Sequence, residues 1–123
     1  MSDLGVLVVE DDPMIREIIC ESLTDAHFHV LDADTTAHAR DVLDSGAEID
    51  AAFVDVDLGD REGGYAVARH ARETRPNLLV VYTSGGARDD FEQERVPGSL
   101  FLPKPYLPSQ VARLLRAALR KFG

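Results

Sequence analysis

Short apolar segments alternate along the whole chain with segments of helical periodicity. The apolar segments lie at residues 4–9, 28–33, 50–56, 78–82 and 99–102. Apolar stretches of this length are typical of strands that are buried on both faces of a sheet. Strands that alternate with helices are joined by right-handed crossovers and run parallel. The sequence therefore predicts an α/β fold, a doubly wound five-stranded parallel sheet between two layers of helices.

The helical segments carry recognisable start and stop signals. Asp12 can cap the first helix, with Pro13 at the first helical position, and the predicted apolar face comprises Met14, Ile18, Ile19 and Leu23. The next helices are predicted at residues 36–45, behind a cap at Thr35 or Thr36, at 64–74, and at 87–95. A last helix opens at Pro108, and its apolar residues recur at spacings of three and four: Val111, Leu114, Leu115, Ala118, Leu119 and Phe122.

Composition narrows the possible functions. A chain of 123 residues fits one domain, and we expect residues 1–123 to form it without a separate effector domain. The formal net charge of -9 argues against nucleic acid as a partner, because phosphate backbones require a basic surface. No signal peptide and no apolar run long enough to span a membrane is visible, so we expect a cytoplasmic protein with no membrane partner.

Polar residues follow four of the five predicted strands. Sites in parallel sheets form at the carboxyl ends of the strands, and these ends meet at one edge. The residues concerned are Glu10, Asp11 and Asp12 after the first strand, Asp55 and Asp57 at the third, Thr83 and Ser84 after the fourth, and Lys104 after the fifth. The sequence thus predicts acids, a hydroxyl and a lysine converging at one place.

That combination indicates phosphoryl chemistry. Carboxylates held close together repel one another and need a cation or a shared proton. Oxygen ligands without histidine or cysteine suit a hard ion such as Mg²⁺, which favours phosphates. A lysine and a hydroxyl opposite the acids can hold phosphoryl oxygens, and a carboxylate can itself be the nucleophile that forms an acyl phosphate.

Four segments carry a resemblance to a known family. The segments are VVEDDP at 8–13, IDAAFVD at 49–55, PNLLVVYTSG at 76–85 and FLPKP at 101–105. In their order and positions they resemble the motifs of response-regulator receiver domains, over essentially the whole chain. The resemblance implies the flavodoxin-like receiver fold, Mg²⁺ as cofactor, and a phosphoryl group taken from a histidine kinase or a histidine phosphotransfer protein.

The same resemblance assigns the phosphoryl and metal roles. Asp55 resembles the phosphoacceptor, and Lys104 the residue that contacts the phosphoryl group. Asp11 is implied as a direct Mg²⁺ ligand, paired with Glu10. Asp57 is implied to give its backbone carbonyl to the metal, and the Lys104–Pro105 bond is implied to be cis.

The switching residues and two departures complete the comparison with the family. Ser84 matches the hydroxyl that bonds the phosphoryl group, with Thr83 as the adjacent alternative. Phe101 matches the aromatic that moves inward on activation, although plain core packing also explains it. Gly59 stands where many receivers have proline, which predicts a more mobile loop. The Asp57 carboxylate lies close to the incoming phosphoryl group, and it could weaken phosphorylation or change the lifetime of the product.

We therefore predict a phosphoacceptor module that catalyses only its own phosphorylation and dephosphorylation and switches a surface for a downstream protein target. It is a single-domain regulator or the receiver of a hybrid kinase, and a monomer or weak dimer. One alternative is an enzyme, because Asp55 to Gly59 also resembles the nucleophile loop of haloacid-dehalogenase-like phosphatases. The other alternative is a binding module that is never phosphorylated. The intact set of acids, hydroxyl and lysine argues against it.

Overall fold

In the part of the chain that the structure describes, five parallel strands form one sheet in the order β2-β1-β3-β4-β5. The structure is a computed structural model that describes residues 3–86 and 90–122, without the side chains of 121 and 122. The strands are β1 (Gly5–Val9), β2 (His29–Ala33), β3 (Ala51–Asp55), β4 (Leu79–Ser84) and β5 (Leu100–Pro103). The predicted α/β class and parallel sheet are confirmed.

Within the described residues, five helices connect and cover the strands. They are α1 (Pro13–Asp25), α2 (Thr36–Asp44), α3 (Gly63–Thr74), α4 (Phe91–Glu94) and α5 (Pro108–Phe122). The predicted starts at Pro13 and Pro108 are confirmed, and Thr35 rather than Thr36 caps α2 by accepting a hydrogen bond from His38 N at 3.0 Å. Among the helices described, none combines the length and the apolar composition that crossing a bilayer requires.

The alternation of side chains along each strand produces two apolar cores, one on each face of the sheet. On one face, Val8, Phe53 and Val81 pack against α1 and α5. On the other face, Val54 and Val80 pack against α2 and α3. Because both faces are covered, polar side chains at the strands' carboxyl ends are fixed by a rigid scaffold.

The predicted apolar face of α1 is wrong for two residues. Ile19 and Leu23 are buried, whereas Met14 is 71% exposed and Ile18 is 47% exposed. The face of α1 that packs against the sheet consists of Ile15, Ile19 and Leu23, spaced four residues apart, with Ile15 half-buried. This face is narrower than the sequence periodicity predicted.

The largest differences from the predicted element boundaries are at β4 and α4, and the other boundaries shift by about one residue. Strand β4 continues through Thr83 and Ser84, because the carbonyl of Thr83 accepts from Val56 N at 2.9 Å and that of Ser84 from Lys104 N at 3.0 Å. Helix α4 is a single turn, and the chain becomes extended at Arg95. The predicted start of that helix, at residues 87–89, lies outside the described residues.

Candidate functional site

The carboxyl end of β1 carries three consecutive acids in different surroundings. Glu10 is buried, and its Oε2 accepts a hydrogen bond from Asp12 N at 3.1 Å. Asp12 caps α1, because its Oδ1 accepts from Met14 N at 2.9 Å and from Ile15 N at 3.2 Å. Asp11, between them, is exposed at the mouth of the site.

Asp55 and Lys104 meet in the centre of this edge. Asp55 is the last residue of β3 and is only 2% exposed. Lys104 follows β5, and its Nζ lies 2.8 Å from Asp55 Oδ2 and 3.2 Å from Glu10 Oε1. The second oxygen of Asp55, Oδ1, accepts from Asp57 N at 2.8 Å. The Lys104–Pro105 peptide bond is cis, as the resemblance implied.

The charges in this cluster alter one another's protonation. Burial raises the pKa of Glu10 to about 7, with the nearby charge of Asp55 adding to the shift and Asp12 N–H and Lys104 opposing it. Burial acts against the charged form of Lys104, but the hydrogen bond to Asp55 and the charges of Asp55 and Glu10 outweigh it. The pKa of Lys104 is therefore raised above its ordinary value, so the ammonium is charged at neutral pH.

The acids fit a hard divalent cation. Glu10, Asp11 and Asp55 each offer a carboxylate oxygen, and these three atoms lie within 4.8 Å of one another. The donor set consists of oxygen alone, which suits Mg²⁺ rather than zinc or copper. Lys104 compensates only part of the negative charge, so a cation beside the exposed Asp11 would be stabilised.

The two hydroxyls at the end of β4 have different environments. Ser84 is buried, and its Oγ donates to Asp57 Oδ2 at 2.7 Å. Thr83 lies beside Asp55 in the sheet, and its buried hydroxyl has no hydrogen-bond partner in the part of the chain that the structure describes. Ser84 is therefore the hydroxyl that touches the loop at the mouth, whereas Thr83 lies beneath it in the strand.

Phe101 belongs to an aromatic group on the face that carries α3 and α4. Its ring centroid lies 5.0 Å from that of Phe91, which in turn lies 5.7 Å from Tyr82. The Phe101 side chain is half-buried and lines a cavity of about 570 Å³ together with Ser84 and Lys104. This position next to Ser84 is compatible with both core packing and a switching role.

Gly59 adopts a backbone conformation that proline cannot. Its φ is +74°, in the left-handed region, whereas the proline ring fixes φ near −65°. A Cβ atom at Gly59 would lie 3.1 Å from Asp11 Oδ2, so this loop closes directly onto the acids. The left-handed backbone of this loop at residue 59 therefore explains why glycine stands where many receivers have proline.

An apolar surface beside the site was not predicted. Ile15, Ile18 and Tyr106 line an apolar cavity of about 350 Å³ together with Lys104. Ile18 is 47% exposed, and Leu107, next to Tyr106 in the chain, is 65% exposed. The sequence signal was the presence of Leu107 between Tyr106 and Pro108, in a loop where a polar residue is usual.

The comparisons with known proteins agree with this geometry. The model of the response regulator receiver domain family matches residues 6–116, and the chain belongs to this family. Receiver domains of two-component systems take phosphoryl groups from histidine kinases. No enzyme family is indicated, and the phosphatase alternative receives no support.

Individual relatives show the same family. A crystal structure of a response regulator receiver protein from Sinorhizobium medicae superposes with a TM-score of 0.90 at 33% identity, over 96% of this chain and 95% of that one. The sensor kinase CckA of Brucella abortus is 29% identical over 120 residues, which are 94% of this chain and 12% of that protein. Protein PetR of Rhodobacter capsulatus is 30% identical over 117 residues, 94% of this chain and 48% of PetR. The chain thus spans half or less of the length of these two proteins.

Proposed function

We propose that Asp55 is the phosphoacceptor of this receiver domain. The observation that carries the proposal is the burial of the Asp55 carboxylate between the Lys104 ammonium and the acids Glu10 and Asp11. Glu10 shares both the contact with Lys104 and the place in the acid cluster, so the choice between the two buried acids rests on Asp55 matching the phosphoacceptor position of the family. The donor is a phosphohistidine of a histidine kinase or of a histidine phosphotransfer protein.

The transfer exchanges one bond to phosphorus for another. A carboxylate oxygen of Asp55 attacks the phosphorus, the P–N bond breaks, and the imidazole leaves with the bonding electrons and takes up a proton from solvent. Lys104 is already in place to neutralise charge on the phosphoryl oxygens. Glu10, Asp11, Asp55 and the backbone carbonyl of Asp57 would hold Mg²⁺, which supplies further neutralisation of those oxygens.

Ser84 carries the phosphorylation signal to the surface. Its hydroxyl is bound to Asp57 in this structure, and a phosphoryl group on Asp55 offers a competing acceptor of higher charge. If Ser84 turns towards that group, the adjacent Phe101 gains space to move inward. The result is a shift between two conformations of the Ser84–Phe101 surface, which a downstream protein reads.

The apolar surface around Ile15, Ile18 and Tyr106 is where the phosphodonor protein binds. Lys104 lines the same cavity, so a partner seated there lies next to Asp55. Exposed apolar patches beside a reactive group are typical of protein interaction sites. A net charge of -9 argues against nucleic acid as the partner. We propose a cytoplasmic signalling module that catalyses only its own phosphorylation and dephosphorylation.

The direct test is labelling by a small phosphodonor. Purified protein is incubated with Mg²⁺ and acetyl phosphate and is examined by intact-mass spectrometry. We expect one acid-stable, base-labile phosphoryl adduct in the wild type and none in Asp55→Asn. Asp41→Asn is the matched control, because Asp41 is exposed on α2, and this variant should be labelled like the wild type. Undiminished labelling of Asp55→Asn would refute the assignment.

A further inference from the structure

The loop between β3 and α3 takes a path across the neighbouring strand. In the sheet, β1 lies between β2 and β3. The loop leaves β3 after Asp55, passes Asp11 at the end of β1 through Gly59, and reaches Thr36 at the start of α2 through Asp60. It then returns to begin α3 at Gly63. The loop therefore lies over the proposed metal ligands, and Asp60, at its far end, contacts the start of α2.

Asp60 binds two helix starts at once. Its Oδ2 accepts from Thr36 N at 2.9 Å, while its Oδ1 accepts from Thr36 Oγ1 at 2.8 Å and from Gly63 N at 2.9 Å. Thr36 and Gly63 are the first residues of α2 and α3, where the helix dipoles favour a negative charge. Burial acts to raise the pKa of Asp60, but the hydrogen bonds from Thr36, Gly63 and Glu62 outweigh it and lower the pKa.

Neighbouring features hold the same loop in shape. Glu62 Oε2 forms an ion pair with Arg40 of α2 at 2.6 Å. Gly59 and Gly63 have φ values of +74° and +71°, so the turns on either side of Asp60 use left-handed backbone. The ion pair is exposed to solvent and contributes little, whereas Asp60 makes several charge-assisted hydrogen bonds to backbone and to a buried hydroxyl. Leu58 holds the middle of the loop by burial in the core, and Asp60 is the polar anchor of its far end.

We propose that Asp60 is a positioning residue for the phosphorylation site, acting through the loop at residues 57–59. The proposal rests on the proposed function, since it assumes that this loop supplies a carbonyl to Mg²⁺. By fastening the loop to α2, Asp60 keeps Asp57 and Gly59 against Asp55 and Asp11 before the metal binds. Without the anchor, metal binding must also order the loop, and that entropic cost weakens affinity.

The expected effect is a weaker affinity for Mg²⁺ with an otherwise intact reaction. Because Asp60→Ala removes the charge-assisted hydrogen bonds to Thr36 and Gly63, we expect it to raise the Kd for Mg²⁺ about tenfold. Mg²⁺ binding to the full chain is titrated by NMR well below the melting temperature. Labelling by acetyl phosphate is measured over the same Mg²⁺ concentrations, and it should approach the wild-type rate when Mg²⁺ is saturating.

Two further variants separate anchoring from charge and from general stability. Thr36→Val keeps every charge and the approximate shape of the buried side chain but removes one hydrogen bond to Asp60, so it should also raise the Kd, by less than Asp60→Ala does. Asp41→Ala removes an exposed acid of α2 and should leave the Kd unchanged.

Three results would overturn the proposal. In the first, Asp60→Ala and Thr36→Val melt at lower temperatures but bind Mg²⁺ like the wild type, so Asp60 is only structural. In the second, Asp60→Ala binds weakly while Thr36→Val binds normally, so the effect is one of charge. In the third, the Kd of Asp41→Ala rises as much as that of Asp60→Ala. Failure of the proposed function would be recognised separately, because the wild-type protein itself would then not be labelled on Asp55.

Discussion

Replacing Asp11 by asparagine should stabilise the metal-free protein. Asp11 contributes one of three carboxylate oxygens that lie within 4.8 Å of one another. Two unit charges at that separation repel by about 1 kcal/mol in water and by about 3.5 kcal/mol at an effective dielectric constant of 20. Asp11 is exposed, and Lys104 partly offsets its neighbours, so the lower value applies. A gain of about 1 kcal/mol raises the melting temperature of a domain this size by about 4 °C.

The same substitution should remove most of the stabilisation by Mg²⁺. A cation that binds only the folded protein stabilises it by about 1.4 kcal/mol when its concentration is ten times the Kd. The wild type should therefore melt several degrees higher in Mg²⁺ than in chelator, and Asp11→Asn should show little difference. If Asp11 were only a solvated acid just before the N-cap of α1, its removal would instead cost up to about 0.3–1 kcal/mol.

Thermal melts of both proteins, in chelator and in Mg²⁺, measure the two effects. Asp12→Asn is the matched control, because asparagine caps a helix as well as aspartate does and the change removes a charge one residue away. This control should keep the full shift with Mg²⁺. The reasoning is refuted if Asp11→Asn melts lower than the wild type in chelator and keeps the full shift.

Three further changes test neighbouring residues. Lys104→Ala leaves the buried Glu10 and Asp55 carboxylates without their ion-pair partner, so the variant should melt at a lower temperature in chelator. It should still bind Mg²⁺ but lose the NMR change on phosphorylation, and an unaltered change would contradict a role of Lys104 in switching. Asp57→Ala frees the Ser84 hydroxyl for the phosphoryl group and should raise the phosphorylated fraction, measured by intact mass at a fixed acetyl phosphate concentration; a decrease would contradict this. Ile18→Ser should slow phosphotransfer from a histidine donor protein but not from acetyl phosphate, and equal slowing of both would exclude a docking role.

Much of the fold follows from local pattern alone. The apolar run of β1, the cap at Asp12 and the stripe through Val111, Leu115 and Ala118 each specify one element and one buried face. Because sites in parallel sheets form where the carboxyl ends of the strands meet, the sequence also predicts that Asp55 lies beside the residues that follow β1 and β5.

What was missed depends on contacts between distant segments. Thr83 and Ser84 look like loop residues, yet backbone pairing with both neighbouring strands keeps them in β4. The exposure of Ile18 depends on how α1 sits on the sheet, which periodicity does not fix. Asp60 lies in an acid-rich loop like any surface residue, and only the path of that loop across β1 gives it a partner in α2.

The central claim, that Asp55 alone receives the phosphoryl group, is tested most directly by locating the adduct. The wild-type protein is phosphorylated with acetyl phosphate and Mg²⁺ and then treated with borohydride, which reduces an acyl phosphate to an alcohol that survives proteolysis. Tandem mass spectrometry of the fragments should place the reduced residue at Asp55 and nowhere else. Modification of another acid, such as Asp11 or Asp57, with Asp55 unchanged would contradict the account.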